Sequence, residues 1–166
     1  MNPLSDKQIR MSFTNASRRE ANQAILPDLD AVDWENLDYL GWRDAKRPQL
    51  AYVVLERDGE PAGVLLRSVP RPERRRAMVC VWCEDVVVTD DVSMYIARRA
   101  GASGRRGNTI GTLICTELIC SQNVRRKPTV SEVGSDDDAD RQRLVERRIE
   151  GLRKRSARFI DQVSNG

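Results

Sequence analysis

Cys80-Val-Trp-Cys83 and Gly107-Asn-Thr-Ile-Gly-Thr-Leu-Ile-Cys115-Thr-Glu-Leu-Ile-Cys120 together hold all four cysteines of the 166-residue chain. A tight cysteine pair near a strand end can turn so that two thiolates aim at one point. A second pair opening a short helix supplies two more, and the four close a tetrahedral sulfur site around one zinc ion. A site of four sulfurs has no open position for water or substrate, so the metal stabilises the fold and does not catalyse. Two other readings compete: a redox Cys-x-x-Cys pair, and buried thiols that bind nothing. The first leaves Cys115 and Cys120 unexplained, and a reducing compartment disfavours disulfides.

Between the pairs, Val86 to Val88 and Ser93 to Arg98 flank Thr89-Asp90-Asp91, which predicts a hairpin. A helix is expected from about Thr116 to Val124. Paired cysteines, hairpin, paired cysteines, helix is the order of a treble-clef zinc finger, here spanning about 78–126. Upstream, Met78 to Val81 is expected as a strand, and Pro70 and Pro72 make Val69 to Arg76 a loop. Ala51 to Leu55 and Ala62 to Arg67 are apolar runs joined through Asp58-Gly59, a strong turn signal, and form a first hairpin. Trp34 to Trp42 concentrates aromatic residues and reads as a packing plug. Ser5 with Gln8 and Ser17 with Glu20 are capping-box pairs that start two short helices.

Downstream, Ala100 to Gly107 reads as a glycine-rich basic loop. Residues 129–140 are acidic and nearly free of apolar side chains, the composition of a linker. In residues 141–166, Val145, Ile149, Leu152, Phe159 and Val163 recur at four- and three-residue steps with Ser156 in the polar slot. They form one stripe of an amphipathic helix that folds back on its own chain or pairs with a partner. Asp136, Asp137, Asp138 and Asp140 precede it, where negative charge favours a helix start. The class is therefore α+β: antiparallel hairpins with a four-cysteine finger, short N-terminal helices and a C-terminal helix. The expected organisation is a domain over 1–128, a linker over 129–140 and the helix over 141–166.

Aromatic residues are only 5% of the chain, so a bound metal would supplement a modest core. No apolar run reaches the ~20 residues of a membrane span. Met1 to Lys7 lacks the basic and apolar regions of a secretory signal, and the cytoplasm is the expected compartment. With no histidine in the chain, the usual triads, a histidine base and a histidine-bound catalytic zinc are excluded. The glycines around 101–111 lack the ending of a phosphate-binding loop. No enzyme and no small-molecule substrate are expected. The 28 basic residues nearly balance 25 acidic ones, but they cluster: Arg67, Arg71, Arg74, Arg75 and Arg76 before the first pair, Arg98, Arg99, Arg105 and Arg106 between the pairs. Such clusters suit a polyanion or an acidic protein face; they also suit a solvated surface.

Leu40-Gly-Trp-Arg-Asp44, Cys80-Val-Trp-Cys83 and Gly107 through Arg125 resemble the elongation factor G-binding protein family, the FusB/FBP type, over roughly Ile9 to Lys127. The resemblance implies a treble-clef domain with four-cysteine zinc, and elongation factor G as partner. Resistance-type members help free the factor from ribosomes on which fusidic acid has stalled it. Those members carry a larger N-terminal helical bundle, and this chain looks more like the short members. On that reading Arg98, Arg99, Arg105, Arg106 and Asn108 with Tyr95 present a basic surface to the factor. The alternatives are direct binding of ribosomal RNA or DNA through phosphate contacts, and a structural adaptor that associates through the terminal helix.

Overall fold

The computed structural model describes residues 1–70, 77–85 and 90–165. Arg71, Arg74, Arg75 and Arg76 of the first basic cluster, and the strand expected at Val86 to Val88, lie outside them. Ser5 and Ser17 start α1 (Asp6–Ser12) and α2 (Arg18–Gln23) through complete capping boxes with Gln8 and Glu20. Two short 3₁₀ turns, Leu29–Ala31 and Trp34–Asn36, lead into the sheet. Its five antiparallel strands stand in chain order: β1 (Leu40–Arg43), β2 (Leu50–Arg57), β3 (Glu60–Ser68), β4 (Val92–Arg98) and β5 (Thr109–Cys115). Asp58 and Gly59 close the β2–β3 hairpin with φ of 52° and 82°, the left-handed pair that a two-residue hairpin loop requires.

Both faces of the sheet are covered, which is why β2 is buried at six consecutive positions instead of alternating. On one face, Tyr52, Val54 and Leu65 pack with Ile9, Phe13 and Trp42. On the other, Val53, Leu66, Tyr95 and Ile114 pack with Leu152, Phe159, Ile160 and Val163 of α6 (Asp138–Ser164), and this second core includes all four cysteines and Trp82. The terminal stripe therefore folds back on its own chain. Asp137 caps α6 by accepting from the Ala139 N–H.

Several local expectations are corrected. The aromatic plug ends in a strand, β1, which pairs with β2 from Leu40–Val54 to Arg43–Ala51. A hairpin that was not expected joins β4 to β5, in register from Arg98–Thr109 to Val92–Cys115. Its connection is not a plain loop: α3 (Gly101–Arg105) sits in it, opening on left-handed Gly101 and followed by left-handed Gly107. Met78 to Val81 forms no strand; Val81 donates one backbone bond to the Leu113 C=O, at 2.9 Å, before the chain turns. The helix after the second cysteine pair is α4 (Cys120–Arg125), starting later than Thr116 because Leu118 takes a left-handed φ of 60°. Within the acidic stretch, Thr129 caps α5 (Val130–Val133), and α6 already begins at Asp138.

Candidate metal centre

Three elements deliver the sulfurs. Cys80 and Cys83 sit on a tight turn in which the Glu84 N–H donates to the Cys80 C=O at 2.8 Å and the Cys83 N–H points at the Cys80 Sγ at 3.5 Å. Glu84 holds a φ of 54° to close that turn, a conformation that costs a residue with a Cβ roughly 1–2 kcal/mol. Cys115 is the last residue of β5 and Cys120 the first of α4. Between them Leu118 swings onto β1, and Gly41 is there because a Cβ would stand 2.8 Å from Leu118 and 2.7 Å from the Tyr39 ring.

The four sulfurs lie within 4.8 Å of one another, with Cys80–Cys120 at 3.6 Å and Cys83–Cys115 at 3.7 Å. A sulfur tetrahedron with zinc bonds of about 2.3 Å has edges of about 3.8 Å, so the donor set fits zinc in both chemistry and size. None of the cysteines is in a disulfide, and all are buried. The thiols also perturb one another. Hydrogen bonds from Cys115, Cys120 and Cys83 hold Cys80 far below the ordinary thiol range, whereas Cys120, bonded to Cys115, Cys80 and Cys83 and buried, is pushed well above it. Four thiolates this close repel one another, and a cation between them offsets that repulsion.

Around the sulfurs, Asn123 donates its side-chain amide to the Cys115 Sγ at 3.2 Å. It lies three residues after Cys120, on the same face of α4, and sequence reading had missed it. Trp82, inside the first cysteine pair, is 1% exposed and stands edge-on to Tyr39 at 5.3 Å. The Tyr39 hydroxyl donates to the Leu118 C=O at 3.0 Å, and burial, then charge at Cys120, push its pKa well above the usual value, so it stays a donor. Arg155 of α6 clamps the turn from outside, reaching the Trp82 C=O at 2.7 Å and Glu84 at 2.9 Å. Opposite, Asp38 is a buried carboxylate held by Arg125 of α4 at 2.5 Å and Arg153 of α6 at 2.8 Å.

The residues expected at a partner surface separate. Arg105, Arg106 and Asn108 are exposed at the tip of the β4–β5 hairpin, the end away from the cysteines. Arg98 is exposed beside them, 3.5 Å from Glu20. Arg99 is half-buried and donates to the Gln162 C=O at 2.7 Å, capping the C-terminal end of α6. Tyr95 is a correction. It is fully buried, with its hydroxyl on the Thr116 C=O at 2.7 Å, because its position on β4 faces α6; it has no surface to present.

Knuckle, hairpin and helix around four clustered sulfurs define a zinc-binding treble-clef protein. A family model described as the FBP C-terminal treble-clef zinc-finger matches residues 8–163, and the chain belongs to that family, α6 included. Its cofactor is one structural Zn2+ at Cys80, Cys83, Cys115 and Cys120. Comparison with curated proteins and with solved structures gives no match. Among the described residues, no helix is long and apolar enough to cross a membrane.

Proposed function

We propose that this chain is a non-catalytic cytoplasmic binding protein whose partner is translation elongation factor G and whose action promotes release of the factor from the ribosome. Membership of the FBP family over 8–163 carries this reading. The site chemistry supports it: a buried four-sulfur zinc offers no coordination position to a substrate, so its role is to fix the hairpin and α4. That fixed hairpin holds Arg105, Arg106 and Asn108 in solvent, with Arg98 alongside. Preorganised charge of this kind lowers the ordering cost of binding an acidic face. Release needs no chemical step: a protein that binds the off-ribosome conformation of the factor more tightly shifts the equilibrium by that difference.

Calorimetric titration of the zinc-loaded chain with the elongation factor G of the same organism, beside a ribosomal RNA fragment, tests the reading. Micromolar or tighter binding to the factor alone is the expected result. Binding to the RNA alone, with steep loss in salt, would replace it with nucleic-acid recognition through phosphates. The adaptor reading loses its main element, because Leu152, Phe159 and Val163 are already buried within the chain.

A further inference from the structure

The sheet ends on β5. Two bonds fix the phase of its ladder with β4: the Arg99 N–H donates to the Asn108 C=O at 3.0 Å, and the Thr116 N–H to the Asp91 C=O at 2.9 Å. Hydrogen-bonded pairs alternate in an antiparallel ladder. Ile110, Thr112 and Ile114 therefore turn their backbone groups toward β4, and Thr109, Gly111 and Leu113 turn theirs off the sheet. The fold uses one of these outward groups, the Leu113 C=O, which accepts from Val81. The N–H groups of Thr109, Gly111 and Leu113 and the C=O groups of Thr109 and Gly111 bond nothing among the described residues.

Proteins blunt such edges with charge, proline or a bulge. Thr109–Cys115 contains no charged residue and no proline, and its register with β4 is unbroken. Beside the edge runs a groove whose far wall is α6, lined by Val81, Met94, Leu113, Phe159, Arg155 and Arg158. Val81 is 46% and Met94 37% exposed. Arg155 is committed to Trp82 and Glu84, but Arg158 is exposed and makes no ion pair among the described residues.

We propose that this edge is a strand-addition site: an extended segment of a partner protein, apolar on one face and acidic on the other, pairs with Thr109 to Leu113 and continues the ladder that Val81 begins. Backbone bonds supply affinity, and Arg158 selects for acid. A second copy of this chain fits less well, because joining two β5 edges brings the Arg158 of each copy into the same interface and no acid on either strand offsets them. The site runs along the strand edge from the hairpin tip toward the metal, does not use Arg105 or Arg106, and does not depend on which protein supplies the segment.

Amide hydrogen exchange by NMR on the zinc-loaded chain tests this, with a capped synthetic nonapeptide carrying valine on one strand face and glutamate on the other. Exchange at Thr109, Gly111 and Leu113 is expected to slow at least tenfold at saturation. The same peptide with alternate amides N-methylated, or with lysine for glutamate, should give no slowing, and Arg158→Glu should reverse the preference. Gly111→Pro removes an outward N–H without touching the β4 ladder, so it should keep its zinc and lose the peptide. The proposal is overturned by no slowing with the glutamate peptide or equal slowing with the N-methylated one. Slowing that grows with protein concentration alone, marking strand addition between copies, overturns it as well.

Discussion

Replacing Cys83 by serine leaves three sulfurs where zinc needs four. Metal binding at a structural site is folding free energy, so Cys83→Ser is expected to lose its zinc and the cooperative melt of the hairpin. Metal analysis after dialysis and calorimetric scanning check this, and a variant with one zinc and an unchanged melt would contradict the ligand set. Asn123 acts through the sulfur it touches. Asn123→Ala should still fold around zinc but bind it about tenfold more weakly in competition with a chromophoric chelator, the cost usual for a lost partner of a metal ligand. A pH effect arises at Tyr52, whose buried hydroxyl donates to Asp44 at 3.2 Å. Burial, then the Asp44 carboxylate, push its pKa up to about 12, against about 10 in an unfolded chain. Between those values the unfolded chain has released a proton that the native chain keeps. The stabilisation is thus complete below pH of about 10 and is lost as pH rises toward 12. Urea melts at the two ends of that window should show wild type losing roughly 2–3 kcal/mol more than Tyr52→Phe; equal losses would assign the alkaline transition to other groups.

Among the elements, α6 ties together parts of the chain that lie far apart in sequence. Its stripe fills the core that holds the zinc turn, Arg155 grips that turn, and its C-terminal carbonyls accept from Arg99 and Ala100. Phe159 lies 5.6 Å from Trp82, ring to ring, so Phe159→Ala should destabilise the whole domain by roughly 3–5 kcal/mol, the range for a buried aromatic cut to a methyl. A single melt at lower denaturant is the expected reading; an unchanged melt of the zinc finger would mean that α6 folds apart from it. This helix was legible because a stripe repeating at three and four residues has one structural meaning over so many turns. The capping boxes and the Asp58-Gly59 turn were legible for the same reason, since each is a local device with its own chemistry. What escaped depends on distant partners. β1 exists because Leu40 to Arg43 meets β2, and Met78 to Val81 is no strand because only Val81 reaches β5. α3 needs the left-handed Gly101, which the glycine-rich composition disguised as a loop. The cysteine constellation was readable from spacing, whereas the burial of Tyr95 was not, because it depends on distant partners, Leu66 of β3, Ile114 of β5 and the stripe of α6, that share its core.

Across the whole molecule, the β4–β5 hairpin has its zinc at one end and its free charge at the other. Cys115 and Val92 pair at the metal end, Arg98 and Thr109 at the tip. Stability and recognition can therefore be separated by substitution. Arg105 and Arg106 are exposed and make no ion pair among the described residues, so removing them takes nothing from the fold. Arg99, the residue next to Arg98 in sequence yet bonded to the Gln162 C=O, contributes to stability instead. The double variant Arg105→Ala/Arg106→Ala should keep zinc and melting temperature while weakening binding of elongation factor G by roughly tenfold and flattening its salt dependence, as loss of interface charge does. Arg99→Ala should do the reverse, lowering the melting temperature with little change in affinity where the variant remains folded. Calorimetric titration at two salt concentrations, paired with thermal scans, reads both. If the double variant binds the factor unchanged, the tip is a solvated surface and the partner must be sought elsewhere on the molecule.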